Sequence, residues 1–309
     1  MIIVFAVLLD FLIGDPNNYY YHPIRIMGRT IRREEKFIRA HVSGDRGLFW
    51  AGLCMLVFNL LATVLILLGI FSLLNEKGTW IFSMYLIYSA IAGRELIKCA
   101  NAVRLALFKS LEEARYQLSM IVGRDTANLS EEKIVRATVE TVAENTSDGI
   151  IAPLFYILFF GPVGGMVYKF VNTMDSTIGY RNEKYEYLGK AAAIFDDWVN
   201  FIPARITGLL FVCAAYLLGY DAKGSYEIMI RDHKKHKSPN AGYPEAAMAG
   251  MLGVRLGGPS QYFGHMDNKP YIGNDSRPIK PNDITRANRA AVVSEIIFVI
   301  IMILLLAWR

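Results

Sequence analysis

Cysteine is nearly missing from this chain. Three occur among 309 residues, Cys54, Cys99 and Cys213, dispersed through apolar surroundings without CxxC or metal-ligand spacing. That excludes a disulfide framework or a zinc ribbon, and such positions read as buried thiols. Charge is scarce too: 20% of residues are charged and 53% hydrophobic, with a mean hydropathy of +0.29, a balance that argues against a soluble domain. No GxxxxGK[ST] phosphate loop, internal repeat or low-complexity tract is present. The amino-terminal stretch MIIVFAVLLDFLIGDP has no basic region before it and no small-residue cleavage pattern, and it contains Asp10. It therefore reads as a retained helix and not as a signal peptide. The net charge of +5 is not gathered into a basic stripe with interleaved aromatics, so nucleic acid is not an expected partner.

What is abundant is apolar sequence in long runs. Leu48 to Leu74 and Ala290 to Trp308 are each near the roughly 20 residues that cross hydrocarbon. Trp80 to Ile97 is a third predicted span, and Ile206 to Tyr220 a short fourth. Ile150 to Val171 is interrupted by GPVGG at 161–165, which predicts either a broken, re-entrant segment or a Pro-kinked span; irregular backbone at membrane depth persists only where protein or a cavity shelters it. The expected fold is thus all-α: a polytopic integral membrane protein with about four to six membrane helices, one of them broken or re-entrant, plus amphipathic cytoplasmic helices. Basic residues Arg25, Arg29, Arg32, Arg33, Lys36, Arg39 and Arg46 follow the first helix, and Lys98 to Arg136 is basic again, so the positive-inside rule places both segments in the cytoplasm.

One membrane-embedded unit over residues 1–309, with larger polar segments at 98–148 and 221–289, is the expected organisation. In the first polar segment Val103, Leu107, Leu111 and Ala114 recur at helical spacing, and Ser130 before Glu131 and Glu132 reads as an N-cap. Arg136, Glu140, Glu144 and Asp148 fall four apart, on one face, as a ladder of solvated pairs also would.

Five polar clusters carry possible chemistry. Asp10, Asp15, Pro16, His22, Pro23 and Arg25 bracket a turn at the end of an apolar helix. ENTSDG places Glu144, Asn145 and Asp148 where two carboxylates can hold a hard cation such as Mg²⁺, although a helix ending at Gly149 has the same letters. YKFVNTMDSTIGY brings Asn172, Asp175 and Ser176 beside Lys169, and FDDWVNFIPAR adds Asp196, Asp197, Asn200 and Arg205. Acids and carboxamides for Mg²⁺, with Lys and Arg for phosphate, are the division that phosphoryl chemistry needs. His233, His236, Ser238, Asn240, Glu245, Arg255, Gly257 and Gly258 form a fifth cluster with donors for an anion. The two histidines lie inside RDHKKHK and read as solvated surface, since no third zinc ligand is spaced to join them.

Taken in order, LLDFLIGDP with HPIRIMG, ENTSDGIIAP, GGMVYKFVNTMDSTIGY, DDWVNFIPARITG and SPNAGYPEAAMAGMLGVRLGGP resemble the CobD/CbiB family, adenosylcobinamide-phosphate synthase of cobalamin biosynthesis, from Leu9 to about Gly264. The resemblance implies an ATP- and Mg²⁺-dependent amide ligase in the cytoplasmic membrane, with its active site on the cytoplasmic side. It would join a corrinoid, adenosylcobyric acid, to (R)-1-amino-2-propanol O-2-phosphate or a related amino alcohol phosphate. Other enzymes of the pathway are conceivable partners beside the lipid bilayer. On that resemblance Glu144, Asp148 and Asp175 are the expected Mg²⁺ ligands. Asn145 and Asn172 are orienting groups, and Lys169, Arg25 and Arg205 are partners of phosphate or carboxylate. Asp175, Asp196, Asp197 and Lys169 form the expected catalytic set, with Asp196 and Asp197 as metal ligands or bases for the amine. His22, Asn240, Glu245 and Arg255 complete the expected ligand-binding set. A transporter, an accessory membrane protein of the same fold and a Mg²⁺-dependent prenyltransferase are the alternative readings. The single acid of NTMDSTIGY argues against the last.

Overall fold

The computed structural model describes residues 2–14, 22–180, 182–262 and 264–308; Asp15 and Pro16 of the first polar cluster lie outside them. The helices are α1 (Ile2–Ile13), α2 (Pro23–His41), α3 (Asp45–Leu73), α4 (Glu76–Ala90), α5 (Gly93–Leu107), α6 (Leu111–Ser119), α7 (Glu131–Thr146), α8 (Ala152–Ile178), α9 (Lys190–Val199), α10 (Phe201–Leu217), α11 (Ala222–Asp232), α12 (Gly242–Leu252) and α13 (Asn282–Trp308). Between α12 and α13 the strands β1 (Leu256–Gly257), β2 (Ser260–Tyr262), β3 (His265–Asp267) and β4 (Tyr271–Ile272) form two small antiparallel ribbons, β1 with β4 and β2 with β3. The rest is helical, as the apolar runs and 3.6-residue periodicity demanded.

Length and composition qualify three helical stretches to cross a bilayer, Asp45–Leu73, Glu131–Ile178 and Asn282–Trp308, or four if α9 and α10 are one bent span. Four meets the lower end of the expected four to six and three falls just below it; with several such helices the chain is a multi-pass membrane protein. The predicted span Trp80 to Ile97 is not one helix: the backbone is extended at Ile91, between α4 and α5.

The chain sorts into two compact units, Met1–Ala92 with Ala152–Asn200, and Gly93–Ile151 with Phe201–Arg309. In the first unit α8 is interrupted at Gly161, whose φ of 66° and ψ of −165° lie outside helical space and suit only glycine, with Pro162 next. The Tyr156 and Tyr168 rings stack at 5.2 Å and 11°, whereas twelve residues along a straight helix span about 18 Å. The two legs of α8 therefore fold back on each other. The apolar leg from Ile150 to Phe160 is only about 16 Å long, against roughly 30 Å of hydrocarbon. The break at GPVGG is thus a fold-back at Gly161 and not a mild bend in a straight helix.

In the second unit Ser130 caps α7, accepting from Lys133 N–H, and Ser110 caps α6 in the same way. α7 is buried from Ile134 to Ala143. On one side its Ile134 and Ala137 pack with Val103 and Ala106 of α5 and with Ala114 and Leu118 of α6. Val135, Val139 and Val142 join a larger core around the small-residue helix α12, with Phe211 of α10, Met229 of α11 and Ala287 of α13. After α7 the chain does not terminate at Gly149; it widens into a π-turn over Ser147–Ile151 and continues, a feature that often marks functional positions. Cys54 and Cys213, expected to be buried, are exposed on the apolar helices α3 and α10, and Cys99 is half-buried. A thiol is small and apolar enough to sit on a surface of that kind.

Candidate functional site

The second unit encloses a cavity of about 140 Å³, and its walls come from five places in the chain. Arg124 arrives from the segment before α7, Glu140 and Glu144 from α7, Lys235, His236 and Lys237 from the turn after α11, and Glu245 from the first turn of α12. Ser260, Tyr262, Lys269, Pro270 and Ile272 close it from the ribbons. Glu140 is 4% exposed and is held from both sides: Oε2 takes Arg124 Nη2 at 2.7 Å, and Oε1 accepts from the Gly257 N–H at 2.6 Å. Arg124 also reaches Ser260 Oγ at 3.4 Å. Lys269 Nζ donates to the Tyr262 hydroxyl at 2.9 Å. Lys235 pairs with Asp232 at 2.8 Å, and Lys237 with Asp267.

Deeper in the cavity lies an acid–imidazole pair. His236 Nε2 is 3.6 Å from Glu245 Oε1, and Nδ1 accepts the Ser238 N–H at 3.0 Å. That bond leaves the proton of a neutral ring on Nε2, facing the carboxyl. Burial first, and then the charges of Glu140 and Glu144, raise the Glu245 carboxyl well above the usual range, opposed by Lys269 and Arg124. Burial pushes the His236 imidazole down, with Lys269 acting the same way against the carboxylates of Glu144 and Glu140. Burial works against the charge of Arg124, but Glu140 holds its proton affinity up. Glu140 is paired with Arg124, and the other charged groups that face the cavity, Lys269, Glu144 and Glu245, are of both signs.

The ladder of solvated pairs is not what forms on α7. Arg136 and Glu140 are 8% and 4% exposed. Arg136 pairs with Glu132 and donates to the Arg255 carbonyl at 3.0 Å, while Glu140 serves the cavity. The strands cover a face that the periodicity left bare. His236 is likewise not solvated surface: its side chain is 15% exposed, because α12 and the ribbons close over the turn. His233 stacks on Tyr243 at 4.3 Å.

In the first unit the returning leg of α8 carries Lys169, Asn172 and Asp175. Lys169 is buried, and Asn172 and Asp175 are half-buried. The Asp175 carboxylate lies against Gly179, where a Cβ would stand 2.0 Å from Oδ1 and 2.7 Å from the Asp175 carbonyl oxygen, so a larger residue there would displace the carboxylate. Tyr168 OH donates to Asn200 Oδ1 at 2.8 Å, and Asn200 Nδ2 donates to Asp196 Oδ2 at 2.9 Å. The motifs YKFVNTMDSTIGY and FDDWVNFIPAR thus meet in one hydrogen-bonded chain. Asp196 is buried in it, and Asp197 is half-buried beside it in sequence.

The remaining expected residues are scattered. His22 is buried immediately before Pro23 opens α2, and Arg25 is exposed. Glu144 is exposed, Asp148 is half-buried in the π-turn, and the Asn145 carboxamide donates to the Thr141 carbonyl at 3.0 Å. Arg205 lies over Phe201 and Tyr243, at 3.4 and 4.3 Å from the ring centroids, and donates to Asn240 Oδ1 at 3.3 Å. Arg255 covers Tyr271 and pairs with Asp275 at 3.1 Å. Glu144 and Asp148 belong to the second unit and Asp175 to the first. Among the described residues no three His, Cys, Asp or Glu side chains cluster as a metal site.

The profile of the CobD/Cbib protein family matches residues 3–291. The chain belongs to the CobD/CbiB family. A relative named cobalamin biosynthesis protein CobD, from Desulfotalea psychrophila, is 43% identical over 98% of this chain and 96% of its own. Another of that name, from Listeria monocytogenes, is 41% identical over 99% and 100%. The cobalamin biosynthesis protein CbiB of Salmonella typhimurium is 41% identical over 96% and 94%. No solved structure matches. Within this CobD/CbiB chain, sequence reading passed over the cavity residues Arg124, Ser260, Tyr262, Lys269, Pro270 and Ile272 and, as a cavity wall, Glu140. Only Glu140 had a signal, its place on the charged face of α7; Tyr262 and Lys269 lie in short ribbons without periodicity.

Proposed function

We propose that this CobD/CbiB protein is an ATP-dependent amide ligase. It joins adenosylcobyric acid to (R)-1-amino-2-propanol O-2-phosphate, or a close relative, on the cytoplasmic side of the membrane. Membership of the family sets the pathway, and one observation supports the chemistry: cations converge on a small cavity that also holds the buried His236–Glu245 pair. A carboxylate is a poor acyl donor until its oxygen takes the γ-phosphoryl of ATP, releasing ADP. The ammonium of the second substrate must then lose a proton, after which its lone pair attacks the acyl carbon and phosphate leaves with the electrons of the C–O bond. A carboxylate raised well above its usual range is a better proton acceptor near neutral pH, and Glu245, kept in place by the imidazole, is assigned that proton.

Mg²⁺ bound with nucleotide needs only one or two carboxylates, with phosphate and water filling the other positions. Asp148 or Asp175 is the proposed ligand. The test is incubation of purified, detergent-solubilised protein with adenosylcobyric acid, aminopropanol phosphate, Mg²⁺ and ATP, with detection of the amide by mass spectrometry. ATP-dependent product is the expected result. Its absence from demonstrably folded protein, across several amino alcohols, would transfer the reading to a transport or accessory role.

A further inference from the structure

The cavity of the second unit is small and lined by charges of both signs. Its volume of about 140 Å³ is close to the roughly 150 Å³ of a protein cavity that accommodates one benzene ring, so neither a nucleotide nor a corrin macrocycle enters it whole. A site for a simple anion would need only the cations, yet Glu144 and Glu245 face the same space. The inner cations are unequally engaged. Arg124 is committed to Glu140 through one nitrogen, with its other edge reaching only the Ser260 hydroxyl. Lys269 donates to the Tyr262 hydroxyl and, among the described residues, pairs with no carboxylate. On the acidic side Glu245 is buried and crowded by the charges of Glu140 and Glu144, an environment that a cation would relieve. Pro270 and Ile272 supply the apolar part of the wall.

We propose that this cavity binds a short zwitterionic amino phosphate ester, its phosphate on Lys269, Arg124 and the Tyr262 hydroxyl and its ammonium on Glu144 and Glu245. The identity of that ester as the amine-donating substrate rests on the ligase reading; the mixed-sign cavity itself does not. In this assignment Glu144 holds the ammonium and not the metal, and the short carbon chain lies against Ile272. The amine is thereby delivered to the carboxyl that takes its proton.

The experiment is calorimetric titration of the solubilised full-length protein, without ATP or corrinoid, using aminopropanol phosphate, inorganic phosphate and aminopropanol as separate probes. The phosphate ester is expected to bind at least about tenfold more tightly than either half. Lys269→Met should weaken the ester and inorganic phosphate alike, Lys269→Arg should restore both, and Glu144→Gln should weaken only the amine-bearing probes. Inorganic phosphate binding as tightly as the ester, or ester binding unchanged in both Lys269→Met and Glu144→Gln, would overturn the assignment. The two readings fail separately. Amide formation with an unaltered KM for the ester in these variants removes the site and leaves the ligase. Ester binding that both variants abolish, with no amide formed by the wild type, removes the ligase and leaves the site.

Discussion

Glu245 and Asp232 are both buried carboxyls, and their surroundings drive them in opposite directions. Asp232 is fully buried, and burial alone would raise it; Arg231 at 2.7 and 2.8 Å, Lys235 at 2.8 Å and the Gly273 N–H at 2.8 Å overcome that and hold it far below the usual range. A depressed acid contributes stability above its unfolded value, about 3.9, which is lost as pH falls through the folded value. Asp232→Asn should therefore cost about 2 kcal/mol near neutrality, a figure kept low because Arg231 and Lys235 are themselves half-exposed. The deficit should shrink toward acid pH in a thermal melt. Glu245 has the reverse sign. Its proton affinity is raised in the fold, so ionisation opposes folding: the penalty is absent below about pH 4.3 and grows as pH rises toward the folded value. Glu245→Gln cannot ionise. Its melting temperature should match the wild type near pH 4.5 and exceed it increasingly toward pH 8, while amide formation falls by about 100-fold or more. An offset independent of pH would mean that the carboxyl is not strained by its surroundings.

Among the elements, the hairpin of α8 has the largest consequence. A segment that turns back at Gly161 leaves the chain on the side from which it entered, so cysteines introduced singly at Asp148 and Ser176, with the native cysteines replaced, should react with a membrane-impermeant maleimide from the same side. Reaction from opposite sides would contradict the fold-back. Gly161→Val forces a branched residue into glycine-only backbone space and should cost about 1–3 kcal/mol or more. How far such elements are legible in sequence depends on what each one uses. The long helices α3 and α13 announce themselves by uninterrupted apolar runs. GPVGG gives away a break, but choosing between a kink and a fold-back needs the contact of Tyr156 with Tyr168, which is tertiary. The break at Ile91 is silent because an extended isoleucine is as hydropathic as a helical one. Spacing on α7 shows correctly that Arg136, Glu140 and Glu144 share a face. It cannot show that Gly257 and the Arg255 carbonyl cover that face, and so a buried wall reads as a solvated ladder.

At the scale of the whole molecule, charge ought to decide which side the chemistry uses. The chain carries its basic excess in connecting segments: Arg25 to Arg46 includes α2, with Arg25 exposed, and Lys98 to Arg136 leads into α7, which supplies Glu140 and Glu144 to the cavity. Lys and Arg in short loops are retained on the cytoplasmic side, and there ATP is available. Membrane vesicles of the two orientations separate the possibilities, since neither ATP nor a phosphorylated amino alcohol crosses a sealed bilayer. Inverted vesicles, which expose the cytoplasmic face, should form the amide when both substrates are added outside, and right-side-out vesicles should not until detergent opens them. Equal rates in both before permeabilisation would indicate leakage, and a preference for right-side-out vesicles would reverse the orientation drawn from the arginines of α2. The same preparation can probe the cavity as a whole. An anion held by half-buried cations at a cavity open to solvent is screened by salt, so KM for the phosphate ester should rise with ionic strength more steeply in the wild type than in Lys269→Met, which has already lost one of those charges.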